Sequence, residues 1–167
     1  MECLILKIVF ISAFNLVIHT QKADGSPAQL LQSLLIFPGT KWCGVGSIAE
    51  NYDDLGMEEE TDKCCREHDN CPDIIKGFST KHGLTNPTFY TRVHCDCDAK
   101  FYDCLKSTGK LSSIEVSAIY FKVLHTQCFK KEHPVLRCTE ITKYGCEHYE
   151  LDKSKPKEYQ WFDVIAF

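Results

Sequence analysis

The sequence lacks several features that mark common protein classes. Its apolar segment from Leu4 to Ile18 is short for a membrane span and is interrupted by Lys7. The chain has no Gly-x-Ser-x-Gly motif, which would place a nucleophilic serine, and no EF-hand loop. Its formal net charge is −4, so it has no overall positive field to attract nucleic acid. We therefore expect no transmembrane segment, no acyl-serine chemistry and no nucleic-acid partner.

Cysteine, in contrast, is abundant, with 11 in 167 residues. Cys3 lies just before the apolar segment, and we interpret residues 1–20 as a secretory signal peptide. Residues 21–34 could be a short propeptide or a disordered amino terminus, which leaves 35–167 as about one domain. The ten cysteines that remain are an even number in an oxidising compartment, so a secreted, extracellular protein with five disulfides is expected.

Zinc is the alternative use of these cysteines. Cys64, Cys65, His68 and Cys71 are all ligand types at close spacing. The chain has no paired Cys-x-x-Cys units, however, and the expected signal peptide favours disulfides.

Residues 61–72 predict a helix. Thr61 is a suitable N-cap and Asp62 places negative charge in the first turn, so the helix should start near Thr61 and end near Pro72. On such a helix Cys64 and Cys65 point too far apart to bond each other. They must connect the helix to two different parts of the chain.

A second stretch, residues 95–105, has a matching pattern. Cys97 and Cys104 are seven residues apart, like the outer cysteines of the first helix, and only a parallel or an antiparallel helix pair could join two such faces. In the antiparallel case His68 and Asp98 lie between the two bridges and nearly opposite each other. A histidine beside a carboxylate on a rigid platform suits a general base. The alternative is an ordinary structural hydrogen bond.

Upstream, the chain is rich in glycine around Cys43. Gly44 and Gly46 allow positive φ, which could turn backbone carbonyls toward a common point. Calcium accepts carbonyl oxygens together with a carboxylate. The alternative is that the two glycines only form a turn beside a disulfide.

Downstream, residues 112–115 fit a capping box, and apolar residues follow at helical spacing. We predict a third helix that buries Val116, Ile119, Tyr120, Val123 and Leu124. Tyr120 could belong to the core alone, or its hydroxyl could also reach the site carboxylate. Two tyrosine-bearing runs, 147–151 and 158–164, are separated by Pro156 and predict a small β-hairpin.

Four motifs occur together, at residues 42–46, 64–73, 81–86 and 95–98, and further matches follow at 100–106 and 152–163. Combined, they closely resemble bee-venom-type (group III) secretory phospholipase A2 over essentially everything from Leu35 to the end. The resemblance implies a mainly α, disulfide-rich fold. It also implies two antiparallel disulfide-linked helices, an N-terminal calcium loop and a small C-terminal β-hairpin.

The resemblance implies a calcium-dependent enzyme that hydrolyses the sn-2 acyl ester of glycerophospholipids to a fatty acid and a lysophospholipid. It assigns His68 and Asp98 as the catalytic dyad, with support from Tyr120. One calcium ion would be bound by backbone oxygens of Trp42, Gly44 and Gly46 and by the carboxylate of Asp69. The implied disulfides are Cys43 with Cys65, Cys64 with Cys104, Cys71 with Cys97, Cys95 with Cys128, and Cys138 with Cys146.

The implied partner is a phospholipid membrane surface, and we expect a monomer. Because the net charge is −4, adsorption should come mainly from apolar contact with zwitterionic lipid. The candidates, each of which could instead be core, are Leu35, Ile36, Phe37, Leu111 and Ile114. The alternative is a local basic patch that includes Lys153, Lys155 and Lys157.

A competing function is that of a catalytically inactive family member, acting as a toxin subunit or receptor ligand. Such proteins typically lose the histidine, the calcium aspartate or a loop glycine. His68, Asp69, Gly44 and Gly46 are all present here. A calcium-dependent assay on phospholipid vesicles would distinguish the two functions.

Overall fold

Three α-helices and one π-helix occupy the middle of the chain in a computed structural model that describes residues 34–164. The helices are α1 (Glu59–Asp69), α2 (Cys95–Thr108) and α3 (Leu111–Ser117), and α3 continues into the π-helix Ala118–Val123. All described residues fall in one compact unit. The predicted signal peptide and all of the predicted propeptide except Leu34 lie outside the described residues.

The strands form four small antiparallel pairs. They are β1 (Ile74–Ile75) with β4 (Arg92–Val93), β2 (Thr80–Lys81) with β3 (Leu84–Thr85), β5 (Gln127–Glu132) with β8 (Glu158–Asp163), and β6 (Val135–Thr142) with β7 (Gly145–Leu151). The fold is thus a helical, disulfide-rich unit with small β-hairpins around it.

Helix α1 begins earlier and ends sooner than predicted. It starts at Glu59, with Glu58 at the N-cap position and no side-chain capping bond, and it ends at Asp69 rather than near Pro72. The acidic first turn still complements the helix dipole. Thr61, the predicted cap, is instead fully buried inside the helix.

The hydroxyl of Thr61 connects α1 to α3. Its Oγ1 lies 2.8 Å from Ser112 Oγ, and Ser112 in turn donates a hydrogen bond of 2.7 Å to Glu58 Oε2. The predicted capping box at 112–115 is therefore wrong: α3 has Lys110 at its N-cap without a side-chain bond. Thr61 and Ser112 therefore bond to each other between the two helices instead of capping the helices in which they lie.

The third helix changes pitch where the π-helix begins. Leu124 N donates to Ile119 O at 3.0 Å, which is the i→i+5 bond of a π-helix. Val116 and Phe121 are buried, but Val123 and Leu124 are exposed. The predicted burial of these last two is wrong, because the wider turn rotates them away from the face that a regular α-helix would bury.

The predicted hairpin between runs 147–151 and 158–164 is also wrong. Strand β7 pairs with β6, and β8 pairs with β5. A tight turn brings β7 back beside β6, which costs less loop entropy than pairing across the longer connection from β7 to β8. The C-terminal hairpin is therefore β6–β7, and the bridge Cys138–Cys146 closes it.

Five disulfides link these elements, in the same pairs that the family resemblance implies. Two of them, Cys64–Cys104 and Cys71–Cys97, join α1 to α2. Because Cys64, Cys65 and Cys71 are all bonded to other cysteines, the zinc alternative is excluded. In residues 34–164 no helix is long and apolar enough to cross a membrane.

The core lies where α1, α2, the π-helix and β8 meet. Its largest members are Phe101 and Leu105 from α2, Phe121 from the π-helix and Phe162 from β8, packed around the cysteines of α1. This core supports the face of α1 that carries His68.

Candidate active site

His68 and Asp98 face each other between the two bridges that join α1 to α2. His68 Nε2 lies 2.8 Å from Asp98 Oδ1, and the two side chains are 10% and 3% exposed. The proximity predicted from the cysteine spacing is confirmed. Burial at this level strengthens the hydrogen bond, because little water competes for the carboxylate.

Tyr120 completes a three-residue hydrogen-bonded group. Its hydroxyl donates to Asp98 Oδ1 at 2.7 Å and lies 3.3 Å from His68 Nε2. Burial, followed by the nearby negative charge of Asp98, raises the pKa of Tyr120 well above its usual value. Tyr120 therefore stays protonated and remains a hydrogen-bond donor to Asp98, the second of the two roles open for it from the sequence.

Aromatic rings fix the orientation of the imidazole. The ring of Phe101 stacks on His68 with centroids 4.4 Å apart, and the ring of Tyr120 meets it edge-on at 5.1 Å. A cavity of about 380 Å³ opens beside His68, between residues of α1 and α2 that include Glu67 and Lys100. Aromatic rings thus cover one side of the imidazole, and the cavity lies on another side.

The glycine-rich loop uses its two glycines for different reasons. Gly46 has φ of 83°, as predicted, but Gly44 does not adopt positive φ. A Cβ on Gly44 would lie 2.2 Å from Leu35 O, so this glycine is required because the 35–36 segment packs directly against the loop backbone. The prediction of positive φ at Gly44 is wrong, and close approach of two backbones is the reason for the residue.

Asp62 anchors the loop, and the sequence did not reveal this role. Its carboxylate is fully buried and accepts hydrogen bonds from the backbone N–H groups of Lys41, Trp42 and Gly56 at 2.8 to 2.9 Å. Three donors compensate the charge, which would otherwise be costly to bury. From the sequence Asp62 was assigned only to the first turn of a helix, because no local pattern distinguishes an exposed acidic residue there from one that binds a distant loop.

A disulfide adds a second attachment between the loop and α1. Cys43, in the middle of the loop, is bonded to Cys65 of α1. The indole Nε1 of Trp42 also donates to Asp54 O at 3.0 Å. Through these contacts the loop is held next to the helix that carries His68.

Asp69 follows His68 in α1 and has the character of a cation ligand. Its side chain is exposed to solvent, but nearby protein atoms partly desolvate the carboxylate. This desolvation is the main reason that its pKa is raised to about 7, and the charge of Asp62 adds to the effect. Among residues 34–164 no group donates a hydrogen bond to this carboxylate or forms an ion pair with it.

These donors fit calcium. A carboxylate that protein donors do not neutralise, next to a histidine and on a helix bonded to a loop rich in backbone carbonyls, is the type of oxygen donor set that calcium prefers. The carbonyl of Trp42 accepts one hydrogen bond, from Gly44 N at 3.1 Å, and keeps a second lone pair. Trp42, Gly44, Gly46 and Asp69 are therefore reasonable ligands by their chemistry.

Comparison with known proteins shows the family to which the chain is similar. A family model described as Phospholipase A2 matches residues 36–132. A phospholipase A2 of Apis dorsata is 53% identical over 134 residues, which are 80% of this chain and 100% of that protein. One of Xylocopa aruana is 51% identical, with 87% of this chain and 81% of that protein covered.

A phospholipase A2 of Apis mellifera is 47% identical over 167 aligned residues, covering 97% of this chain and 100% of that protein. The matched region contains the three residues of the hydrogen-bonded group, His68, Asp98 and Tyr120. The chain belongs to the phospholipase A2 family.

Proposed function

We propose that this phospholipase A2 is a calcium-dependent, secreted enzyme that hydrolyses the sn-2 ester of glycerophospholipids. The observation that carries the proposal is the buried group of His68, Asp98 and Tyr120 in a chain of this family. The products would be a free fatty acid and a lysophospholipid. We also propose that α1 and α2 form the antiparallel pair that holds the dyad, and that residues 42–46 form the calcium loop.

The hydrogen bonds support Nδ1 of His68 as the nitrogen that would act as the base. Because Nε2 faces the carboxylate of Asp98, the proton of the neutral imidazole belongs on Nε2, and Nδ1 is left as the acceptor. Water is the nucleophile, since the chain has no serine elbow. His68 Nδ1 takes one proton from the water while the water oxygen attacks the sn-2 carbonyl carbon.

The same imidazole then completes the reaction. Protonated His68 is stabilised by Asp98, whose orientation is fixed by the hydrogen bond from Tyr120. When the tetrahedral intermediate collapses, the bond between the carbonyl carbon and the glycerol oxygen breaks. His68 returns its proton to the glycerol oxygen, so the dyad is restored for the next turnover.

Calcium would be held by the backbone oxygens of Trp42, Gly44 and Gly46 and by Asp69. It would supply fixed positive charge for the substrate phosphate and for the oxyanion of the intermediate. The anchoring of the loop by Asp62 and by Cys43–Cys65 supports this assignment, because a preorganised loop loses little entropy when it binds an ion.

The enzyme would meet its substrate at a lipid surface, where apolar side chains could contact the acyl region. Leu35, Leu111 and Ile114 are exposed and keep this role. Ile36 is buried, and Phe37 packs against the core, so these two candidates are structural. We expect the enzyme to act as a monomer.

Calcium dependence is the first test of the proposal. We expect hydrolysis of phosphatidylcholine vesicles in millimolar calcium and almost none in excess chelator, because no side chain replaces the proposed cation. Substrates labelled separately in the sn-1 and sn-2 chains would show release of the sn-2 label. Magnesium should substitute poorly, since it prefers rigid octahedral geometry and retains its waters.

Equal turnover with calcium and with chelator would refute the calcium mechanism, and release of the sn-1 label would refute the regiochemistry. A folded protein without activity in any condition would instead support the inactive family member. Thermal unfolding with and without chelator should accompany the assay, so that loss of structure is distinguished from loss of the ion.

A further inference from the structure

Two lysines from distant parts of the chain meet on one aromatic ring. Lys122 from the π-helix and Lys143 from the β6–β7 turn place their Nζ atoms 6.0 and 4.8 Å from the ring centroid of Tyr144. The ring is half-buried, and both lysines are exposed. Both ammonium groups are therefore within cation–π range of the same ring.

Within residues 34–164 no carboxylate pairs with either ammonium group. Asp163 packs against Gly145, the residue after Tyr144, and its two oxygens accept hydrogen bonds from Gln127 Nε2 and Cys146 N rather than pairing with either lysine. An anion bound between the two ammonium groups would relieve their mutual repulsion.

Of the three basic residues singled out from the sequence, Lys153 is exposed and has no ion pair within residues 34–164, whereas the other two behave differently. Lys155 pairs with Asp152 at 3.5 Å, and Lys157 pairs with Glu132 at 2.9 Å. Their charge is therefore largely cancelled at short range. The chain thus has lysines with and without a paired carboxylate, so its net charge alone does not predict where its surface would bind an anion.

Exposed apolar side chains lie next to the two lysines in sequence. Val123 and Leu124 follow Lys122 and are 52% and 42% exposed, and Ile141, two residues before Lys143, is 80% exposed. Exposed apolar side chains would contribute little to the binding of a soluble anion. A lipid surface presents phosphate groups and, just beneath them, an apolar region.

We propose that Lys122, Lys143 and Tyr144 form a cationic patch that binds the headgroup phosphates of anionic phospholipids, with Val123, Leu124 and Ile141 entering the interface beside it. The patch is separate from the residues proposed to hold calcium and the reacting ester. It differs from the expectation based on net charge, which gave no preference for anionic lipid. The choice of a lipid partner rests on the proposed function, but binding itself does not require hydrolysis.

The patch is close to the catalytic group along the chain. The π-helix that presents Lys122 also carries Tyr120, whose hydroxyl contacts Asp98. Phe121, between them, is buried in the core. Three consecutive residues of the π-helix therefore lie in the site (Tyr120), in the core (Phe121) and on the surface (Lys122). Lipid contact at Lys122 would form two residues from the hydroxyl that bonds to Asp98.

The test is direct binding of the intact, disulfide-bonded protein to vesicles by sedimentation, in the presence of chelator so that no lipid is consumed. Vesicles of phosphatidylcholine are compared with vesicles of phosphatidylcholine and phosphatidylglycerol, at low and at high salt. The variant is Lys122→Gln with Lys143→Gln. The matched control is Lys155→Gln with Lys157→Gln, which changes the net charge by the same amount.

We expect the unmodified protein to bind the mixed vesicles more tightly, and salt to weaken this preference. Each patch lysine should contribute about fivefold in affinity for the mixed vesicles, so the double variant should lose about 25-fold. The control should lose less than about twofold, because its lysines are already paired. Lys122→Arg with Lys143→Arg should retain binding, which separates charge from any effect on folding.

Hydrolysis of a soluble, short-chain phospholipid gives an independent readout. It should be unchanged in Lys122→Gln with Lys143→Gln, since the patch takes no part in the chemistry. If no variant, including the unmodified protein, hydrolyses lipid, the proposed function fails while the binding experiment still decides the patch.

Three results would overturn the proposal. The first is equal binding of the unmodified protein to both kinds of vesicle. The second is an equal loss in the patch variant and the control, which would indicate long-range charge alone. The third is binding of soluble heparin that depends on Lys122 and Lys143 without any effect of these residues on vesicle binding, which would identify a soluble polyanion as the partner.

Discussion

The proposed catalytic dyad and the glycine-rich loop are held in place by different means. His68 and Asp98 come from two helices joined by two disulfides, and aromatic rings enclose them. The loop has no helix or extended strand of its own; it is held by one disulfide, by backbone hydrogen bonds to residues 35–37, by the indole bond of Trp42 and by the buried carboxylate of Asp62. The two proposed catalytic side chains are thus fixed mainly by disulfides and packing, whereas the loop is fixed mainly by hydrogen bonds, three of them to one carboxylate.

The largest expected effect comes from removing the base. His68→Gln should lower kcat by about 10² to 10⁴-fold, because glutamine fills similar space but does not accept and return a proton. The melting temperature should change little, since the two bridges remain. His148→Gln is the matched control, because His148 is an exposed histidine on β7. Near-normal turnover of His68→Gln in a vesicle assay would show that the dyad assignment is wrong.

The loop side of the comparison is tested by Asp62→Asn. An amide has one acceptor oxygen, so at least one of the three backbone donors loses its partner. We expect calcium affinity, measured by calorimetry, to fall by about 10 to 100-fold, in line with other residues that support metal ligands.

The exposed Asp53 provides the control for this change, as Asp53→Asn. Both substitutions remove one negative charge, but only Asp62 accepts hydrogen bonds from the loop. If the two variants lost calcium affinity equally, long-range charge rather than anchoring would be responsible.

A smaller effect is expected within the dyad itself. Tyr120→Phe removes one hydrogen bond to Asp98 and keeps the ring that packs against His68. At about 0.5 to 1.5 kcal/mol for one hydrogen bond, kcat should fall by roughly 2 to 10-fold. KM should change little, and the pH profile of kcat should shift if Tyr120 acts through Asp98. A variant with an unchanged pH profile and lower stability would indicate that Tyr120 is only a packing residue.

The smallest effect concerns stability without calcium. The pKa of Asp69 is raised from 3.8 to about 7, so in this range of pH the folded state holds the proton more tightly than the unfolded state. Stability is therefore lost as the pH rises from 4 to 7. Asp69→Asn should raise the melting temperature of the calcium-free protein at pH 7 by roughly 1 to 3 °C, although it removes a proposed calcium ligand.

The gain in melting temperature should vanish near pH 4, where residue 69 is uncharged in both folded proteins. Glu67→Gln, on the same helix and exposed, is a control for loss of one charge. A lower melting temperature for Asp69→Asn at pH 7 would mean that the carboxylate is stabilised by contacts rather than destabilised by burial.

Sequence reasoning succeeded where a pattern was local or repeated. The seven-residue spacing of cysteines in two helices left a parallel and an antiparallel pair open, and the antiparallel pair places His68 opposite Asp98, because helical geometry converts spacing into position. It failed where distant groups competed with local ones. Thr61 and Ser112 looked like caps, but each had a partner in the other helix, and Val123 and Leu124 looked buried until the pitch changed.

The sequence by itself determined the disulfide-rich class and the family, and it singled out His68 and Asp98 as a candidate pair, since these depend on residue types and on spacings that a helix preserves. Only the tertiary structure decided which carboxylate supports the loop and which lysines remain without an acidic partner. Burial and ion pairing depend on contacts between segments far apart in the chain. Asp62 and Asp53 are the same residue type, as are Lys143 and Lys157, and the sequence does not show which of each pair is buried or ion-paired. These differences arise from contacts that form only in the folded chain.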